Sequence, residues 1–414
     1  MRLARSRTEP AAGRLAVLVL VTCAGYAAGR AAGHGEVTRL VTEHGYLLAV
    51  SALLAVGLYG STHGIDTRTL RADARVVVLA VTVGVLLKAA LITAGMALAV
   101  HHPEVLVLGV AVAQIDPLSV AALERSSRLT PRGKVLLLAW ASFDDPMTTL
   151  LTVYAAALAL RFGAGNGGAA PPALTGGAGA FAWSTALNLL FAAVLAGLWF
   201  GARWARRRWE GRREDGGVLP FAAGCALLLA ALAVGVDRFW MLGIALAGLF
   251  LRPALARAPE LFSRVLGALT YAAFLLGTLA VGVVLSTGVR PWAGLWLGVV
   301  TFTAQIVVSL PLTRGRPPGD RVRLALAQQN GITAIVLALL LQPMFDGVVA
   351  TVAPAILVIN LLHLAANARY DARLDARRGP VVDPPPPAPP LPAPPQTAPP
   401  LAAPPLPAPP LPAP

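Results

Sequence analysis

Four ionisable side chains interrupt the long apolar runs of this chain: Lys88, Asp116, Asp144 and Asp145. At the centre of a membrane helix each costs about 2.5–3.5 kcal/mol on insertion scales, so four unpaired groups disfavour a fold by roughly 10 kcal/mol. Groups that costly line ion or proton paths and face one another. A buried salt bridge that merely fixes packing is the bland alternative. Three acids against one base cannot all be neutralised in that way, so at least one carboxyl must be protonated or bound to a cation.

The neighbours of the acids sharpen this chemistry. In "LGVAVAQIDPLSVAAL", Pro117 removes a helix hydrogen bond and disfavours helical geometry at Asp116. A break there frees backbone carbonyls that can coordinate a cation if they line a cavity. In "LAWASFDDPMTTLL", Pro146 repeats the device directly after Asp145. Adjacent Asp144 and Asp145 point about 100° apart on a helix, so one faces a bound ion and the other a different partner. Ser119, Ser142 and Thr148 are candidate neutral oxygen ligands for Na⁺ or Li⁺, although such hydroxyls more often pack helices.

The elements that must position these groups are membrane helices. The chain is 56% hydrophobic and only 13% charged, against roughly 25% charged in soluble domains. About twelve apolar runs are long enough to cross a core of about 30 Å. They centre on 14–33, 43–61, 76–100, 104–123, 135–160, 179–201, 218–236, 239–251, 265–287, 291–312, 322–342 and 347–367. The eighth is short. They are too long and too uniformly apolar for barrel strands. The net charge of +14 reads as topology, not nucleic-acid binding. With the N-terminus inside, the outer loops hold only Arg30, Arg39, Arg161, Arg238 and Arg290, and most other basic residues fall in inner loops.

The predicted fold is an all-α polytopic membrane protein with about twelve spans in two inverted six-helix repeats, with helices interrupted at mid-membrane. Residues 1–13 form a cytoplasmic N-terminus, 14–201 the first half with the ion site, and 202–217 a basic linker. Residues 218–368 form the second half and 369–414 a Pro-rich tail, polyproline or disordered. The N-terminal run also has the features of a signal peptide, with a retained first helix preferred. Cys23 and Cys225 fall within spans and read as packing residues. No His or Cys spacing suggests a metal site, and no nucleotide loop or nucleophile elbow is present, so neither an enzyme nor a cofactor is expected.

Here the sequence resembles the cation/proton antiporter superfamily of sodium/proton exchangers. The resemblance covers roughly residues 45–368 and rests on "IDP" (115–117), "SFDDPMT" (142–148), "GIDTRTLRADARVVVLAVTVGVLL" (64–87), "FWMLGIALAGLFLRP" (239–253), "LALAQQNGITAIVLALLL" (324–341) and "INLLHLAANA" (359–368). It implies that Asp116 supports the ion site and that Asp145 alternately binds a proton or a monovalent cation. Asp144 matches a position that is Asn in electroneutral members and Asp in electrogenic ones. A carboxylate that binds H⁺ or Na⁺ but not both is sufficient for antiport. The resemblance also implies alternating access and a homodimer.

Three departures from the family pattern stand out. Gln114 occupies a position that is usually Thr. Near the "QQNG" stretch of the eleventh span, where relatives have a basic residue, Gln328, Gln329 and Asn330 offer only amides. Lys88 lies about 18 Å from either end of its helix, too deep to snorkel easily. The expectation is that it replaces the missing base and pairs with Asp144 or Asp116. His363 matches a family position in the last span and reads as a packing residue. The expected activity is exchange of Na⁺, K⁺ or Li⁺ for protons in a bacterial plasma membrane, both termini cytoplasmic, with the bilayer and these ions as partners and no nucleic acid. A transporter-like sensor without turnover is the alternative, and a passive channel a third reading.

Overall fold

The structure is a computed structural model that describes residues 11–63, 65, 75–100, 104–116, 128–165, 178–209 and 217–378. Pro117, Ser119, His101, His102, most of the 64–74 motif, residues 210–216 of the basic linker and the Pro-rich tail lie outside these residues. Among the described residues the chain is helical throughout, without strands.

Helices α1 (Ala11–Ala32) and α2 (His34–Thr42) meet at a 107° bend. They are followed by α3 (His44–His63), α4 (Arg75–Ala97), the short α5 (Val105–Ala111), α6 (Pro131–Arg161), α7 (Ala178–Trp209), α8 (Val218–Asp237) and α9 (Met241–Phe250). Then come α10 (Leu261–Leu285), α11 (Pro291–Leu312), α12 (Pro318–Ala325), α13 (Ile332–Leu341) and α14 (Val348–Arg378). The described residues up to Arg369 form one compact unit, and those from Tyr370 onward belong to a second. In the second, the described residues are the end of α14, 370–378.

Every expected span holds helix, but the spans are not alike. Among the described residues, seven helices are long and apolar enough to cross a membrane alone, and up to eight if the bent α1–α2 pair is one span. The remainder are special: α5 stops early, α9 is short, α6 carries two buried carboxyls, and the eleventh run is split into α12 and α13 around residues 326–331.

Pro146 does not interrupt α6, contrary to the expectation from sequence. The helix runs unbroken for 31 residues, with Pro146 inside it. A proline removes one hydrogen bond, and buried neighbours from Gly133 to Ala159 hold this helix on both sides of the defect. Its start is well specified: Thr130 caps it by accepting from Gly133 N at 3.1 Å, Pro131 occupies the first turn, and Asp320 of α12 accepts from Thr130 N at 3.0 Å.

The interior is formed by α3, α5, α6 and α13, with the described side chains of α13 all buried. The outer helices present apolar side chains outward. Examples are Trp183, Leu190 and Leu198 on α7, and Val265, Leu269 and Leu276 on α10. Such a face suits hydrocarbon and would be a liability in water. Helices α1 and α10 approach closely because Gly25 meets Gly282: a Cβ on either would overlap the backbone of the other helix. Small residues at such crossings replace the hydrophobic drive that lipid cannot supply.

Candidate ion-binding site

The fourth run leaves helical geometry at Val112, and residues 113–116 cross the interior without helix. The break therefore begins five residues before Pro117, earlier than that proline alone would dictate. The eleventh run breaks at 326–331. The two breaks pair backbone to backbone, with Asp116 N donating to Gln329 O at 2.8 Å. Two of the freed carbonyls of the first break, those of Val112 and Gln114, are already taken. Gln328 Nε2 donates to Gln114 O (2.8 Å) and to Asn330 Oδ1 (2.7 Å), and Asn330 Nδ2 donates to Val112 O (2.9 Å). The Gln114 amide satisfies both ends when its nitrogen faces Ala111 O (3.0 Å) and its oxygen faces Ala334 N (2.7 Å). These two carbonyls thus hold the two breaks together.

Lys88, on α4 just after a π-helical turn at Ala80–Gly84, reaches this junction and is 1% exposed. Its Nζ donates to Asp144 Oδ2 (3.3 Å), Gln305 Oε1 (3.1 Å) and Gln328 Oε1 (3.4 Å). An ammonium has three hydrogens, and all three find acceptors. Asp144 Oδ2 also accepts from Ile115 N at 2.9 Å. Of the two partners the sequence left open for Lys88, the geometry selects Asp144.

Asp145 points to a different place, as adjacent helical residues must. Its Oδ2 accepts from Thr333 Oγ1 at 2.8 Å, in the first turn of α13. Asp116 lies against Gly331, where a Cβ would overlap its carboxyl group and force that side chain to move. Gly331 opens α13, and the positive end of that helix faces the acids, which favours negative charge there. Asp145 is within electrostatic reach of both Asp116 and Asp144. Among the described residues, Asp144 Oδ1, Asp145 Oδ1 and Thr148 Oγ1 are buried without a hydrogen-bond partner.

Ser142 is buried on α6, and Gln329 contributes its carbonyl to the junction. Ser119 lies outside the described residues. Among those described, no three or more His, Cys, Asp or Glu side chains gather as a metal-holding group; Asp144 is turned to Lys88 instead. Three participants escaped the sequence reading. Gln305 on α11 accepts from Lys88, Thr333 donates to Asp145, and Asn360 on α14 both donates to Asn330 O (3.1 Å) and accepts from Asn330 N (3.3 Å). An amide at the centre of "VTFTAQIVVSL" was a usable signal for Gln305; Thr333 gave none, because a lone hydroxyl in a span reads as packing.

No protein-family model matches the sequence, and no curated protein matches it. A solved structure, the sodium proton antiporter MjNhaP1 from Methanocaldococcus jannaschii at pH 8, does match. It covers 89% of this chain and 98% of its own, with a TM-score of 0.54 and 17% sequence identity. The chain has a cation/proton antiporter fold. Within that fold two interrupted segments meet through Asp116 and Gln329, with Asp116 in the first break and Asp144 and Asp145 beside it on the continuous α6. At this identity the likeness establishes architecture, and chemistry must be argued from the side chains.

Proposed function

We propose that this protein is a secondary active transporter that exchanges a monovalent cation, Na⁺ or else K⁺ or Li⁺, for protons. Asp145 is the exchanging group. The observation that supports this most is its Oδ1: a buried carboxylate oxygen with no hydrogen-bond partner among the described residues, at the junction of two interrupted helices. Leaving such an atom bare costs about 1–3 kcal/mol or more for a charged group, and a proton or a hard cation removes that penalty.

Either species neutralises the carboxylate, and the two exclude each other. Net exchange follows if the site opens alternately to the two sides of the membrane. In this reading Asp116 supports the cation from the first break, Thr148 Oγ1 is the neutral ligand one turn beyond Asp145, and Ser119 and Ser142 are further candidates. Asp144 answers to Lys88, which takes the place of the base that relatives have in the eleventh span, while Gln329 and Asn330 shape the core of that span. The family resemblance implies a homodimer, and the charge bias of the loops argues for both termini on the cytoplasmic side of a bacterial plasma membrane. The antiporter fold is in keeping with this reading.

The test is proton movement across everted vesicles or proteoliposomes after addition of each salt. Cation-evoked proton movement is expected from the wild type and is reduced to background by Asp145→Asn. A silent wild type would favour a transporter-like regulator, and a salt-independent leak would favour a channel; either overturns exchange.

A further inference from the structure

Thr333 belongs to no charged pair, yet it is the described residue that fixes the orientation of the Asp145 carboxyl. Its hydroxyl is buried and donates to Asp145 Oδ2 at 2.8 Å from the first turn of α13. The contact crosses between helices: Asp145 rides on α6, and Thr333 follows Gly331, whose missing side chain lets Asp116 settle against the backbone. One oxygen of Asp145 is therefore pinned, and Oδ1 is the one left over.

A second observation picks out the same spot. Three threonines follow Asp145 on α6. Thr149 donates back to Asp145 O (2.9 Å) and Thr152 to Thr148 O (2.8 Å), the ordinary fate of a threonine inside a buried helix. Thr148 is 0% exposed, and among the described residues its Oγ1 has no hydrogen-bond partner. Residues three apart share a helix face. Asp145 Oδ1 and Thr148 Oγ1 thus form a pair of hard oxygens, both withheld from internal hydrogen bonds, which suits a hard cation.

We propose that Thr333 is the positioning residue that sets which monovalent cation this oxygen pair accepts, an inference that rests on the exchange reading above. Selection among cations of equal charge depends on cavity size and on how rigidly the ligands are held. With Oδ2 tethered to α13, the carboxyl cannot rotate to follow a larger or smaller ion. Without the tether it can, so affinity for the preferred ion falls and the ranking of ions flattens. The other charges at this carboxyl are those of Asp116 and Asp144, which Thr333 substitutions leave in place.

The experiment uses the purified full-length chain at one fixed pH. Equilibrium binding of Li⁺, Na⁺ and K⁺ is measured by calorimetry, and exchange of the same ions in proteoliposomes. Thr333→Val keeps the shape and deletes the donor; it is expected to weaken binding of the preferred ion about tenfold and to compress the ratios between ions, with the apparent KM rising more than the maximal rate falls. Thr333→Ser keeps the donor and should stay within about twofold of wild type. The proposal is overturned if the valine variant binds as tightly and selectively as wild type, or if the serine variant is as impaired as valine. A wild type that binds but does not exchange removes the transport reading and leaves Thr333 to be judged on binding ratios. A wild type that binds none of the three ions overturns both.

Discussion

The two breaks in this fold solve the same physical problem by different means. Unwinding a buried helix exposes carbonyls that must find donors. At the second break, residues 326–331, Asp116 N of the first break serves Gln329 O, and the side-chain donors come from one neighbouring helix. His363 Nδ1 donates to Leu326 O (2.7 Å), Asn367 Nδ2 donates to the same oxygen (3.2 Å), and Asn360 Nδ2 donates to Asn330 O (3.1 Å). At the first break, 112–116, the donors are Gln328 and Asn330, side chains of the second break itself. The second break is braced by α14, and the Val112 and Gln114 carbonyls of the first hang on the second, with Ile115 N tied to Asp144 on α6. Bound or released ions at Asp116 and Asp145 would therefore act on a junction whose two halves are braced unequally.

The largest effect is expected at Lys88, which reaches across both breaks. Lys88→Met strands Asp144 as a buried, unpaired carboxylate, a loss of about 3–5 kcal/mol when one partner of such a pair is removed. The purified protein in detergent should melt well below wild type, and the double variant Lys88→Met with Asp144→Leu should recover much of the difference. Equal melting of the single variant and wild type would mean that the pair does not hold the first break.

A smaller loss is expected where the brace acts. Asn360→Ala removes both hydrogen bonds to Asn330 and should lower stability by about 1–3 kcal/mol. Because the first break depends on the second, the same variant should speed amide hydrogen exchange in residues 112–116 as well as 326–331. Faster exchange confined to 326–331 would show that the two breaks are independent.

The smallest effect is expected at Pro146. The helix is already continuous there and Pro146 is buried, so Pro146→Ala restores one hydrogen bond and removes two buried methylenes, opposing effects that should leave a net change within about 1 kcal/mol. A large change in either direction would show that the proline matters to the motion of α6 and not merely to its resting shape.

The difference between the breaks also explains what was legible in the sequence. Apolar run length is a local property, and it located the helices down to the short α9. Buried charge is equally visible, since Lys88 and the three acids stand out against residues that cost nothing in a membrane. Amides and hydroxyls do not. Gln305, Thr333 and Asn360 matter through partners far away in the chain; of the three, Gln305 is marked in its own window as an amide amid apolar residues, and even there nothing names its partner. Proline was read too locally in both directions. At Pro146 tertiary packing kept the helix, whereas the fourth run unwinds from Val112 because Gln328 and Asn330, more than two hundred residues away, supply the hydrogen bonds that make unwinding cheap.

The π-helical turn at Ala80–Gly84 has a consequence for how this architecture can change over generations. Such a turn accommodates one residue more than an α-turn and rotates everything after it by about 100°. Lys88 is buried while its immediate neighbours Leu86 and Leu87 face outward. Loss of a single codon within the turn can be absorbed by closing it to an α-turn with Lys88 still facing Asp144, whereas loss of one between the turn and Lys88 would carry the ammonium to the outward position of Leu87 and put Ala89 in its place. The turn is thus the one place in this stretch of α4 where a one-residue change of length leaves the register intact, and selection can act there in one step.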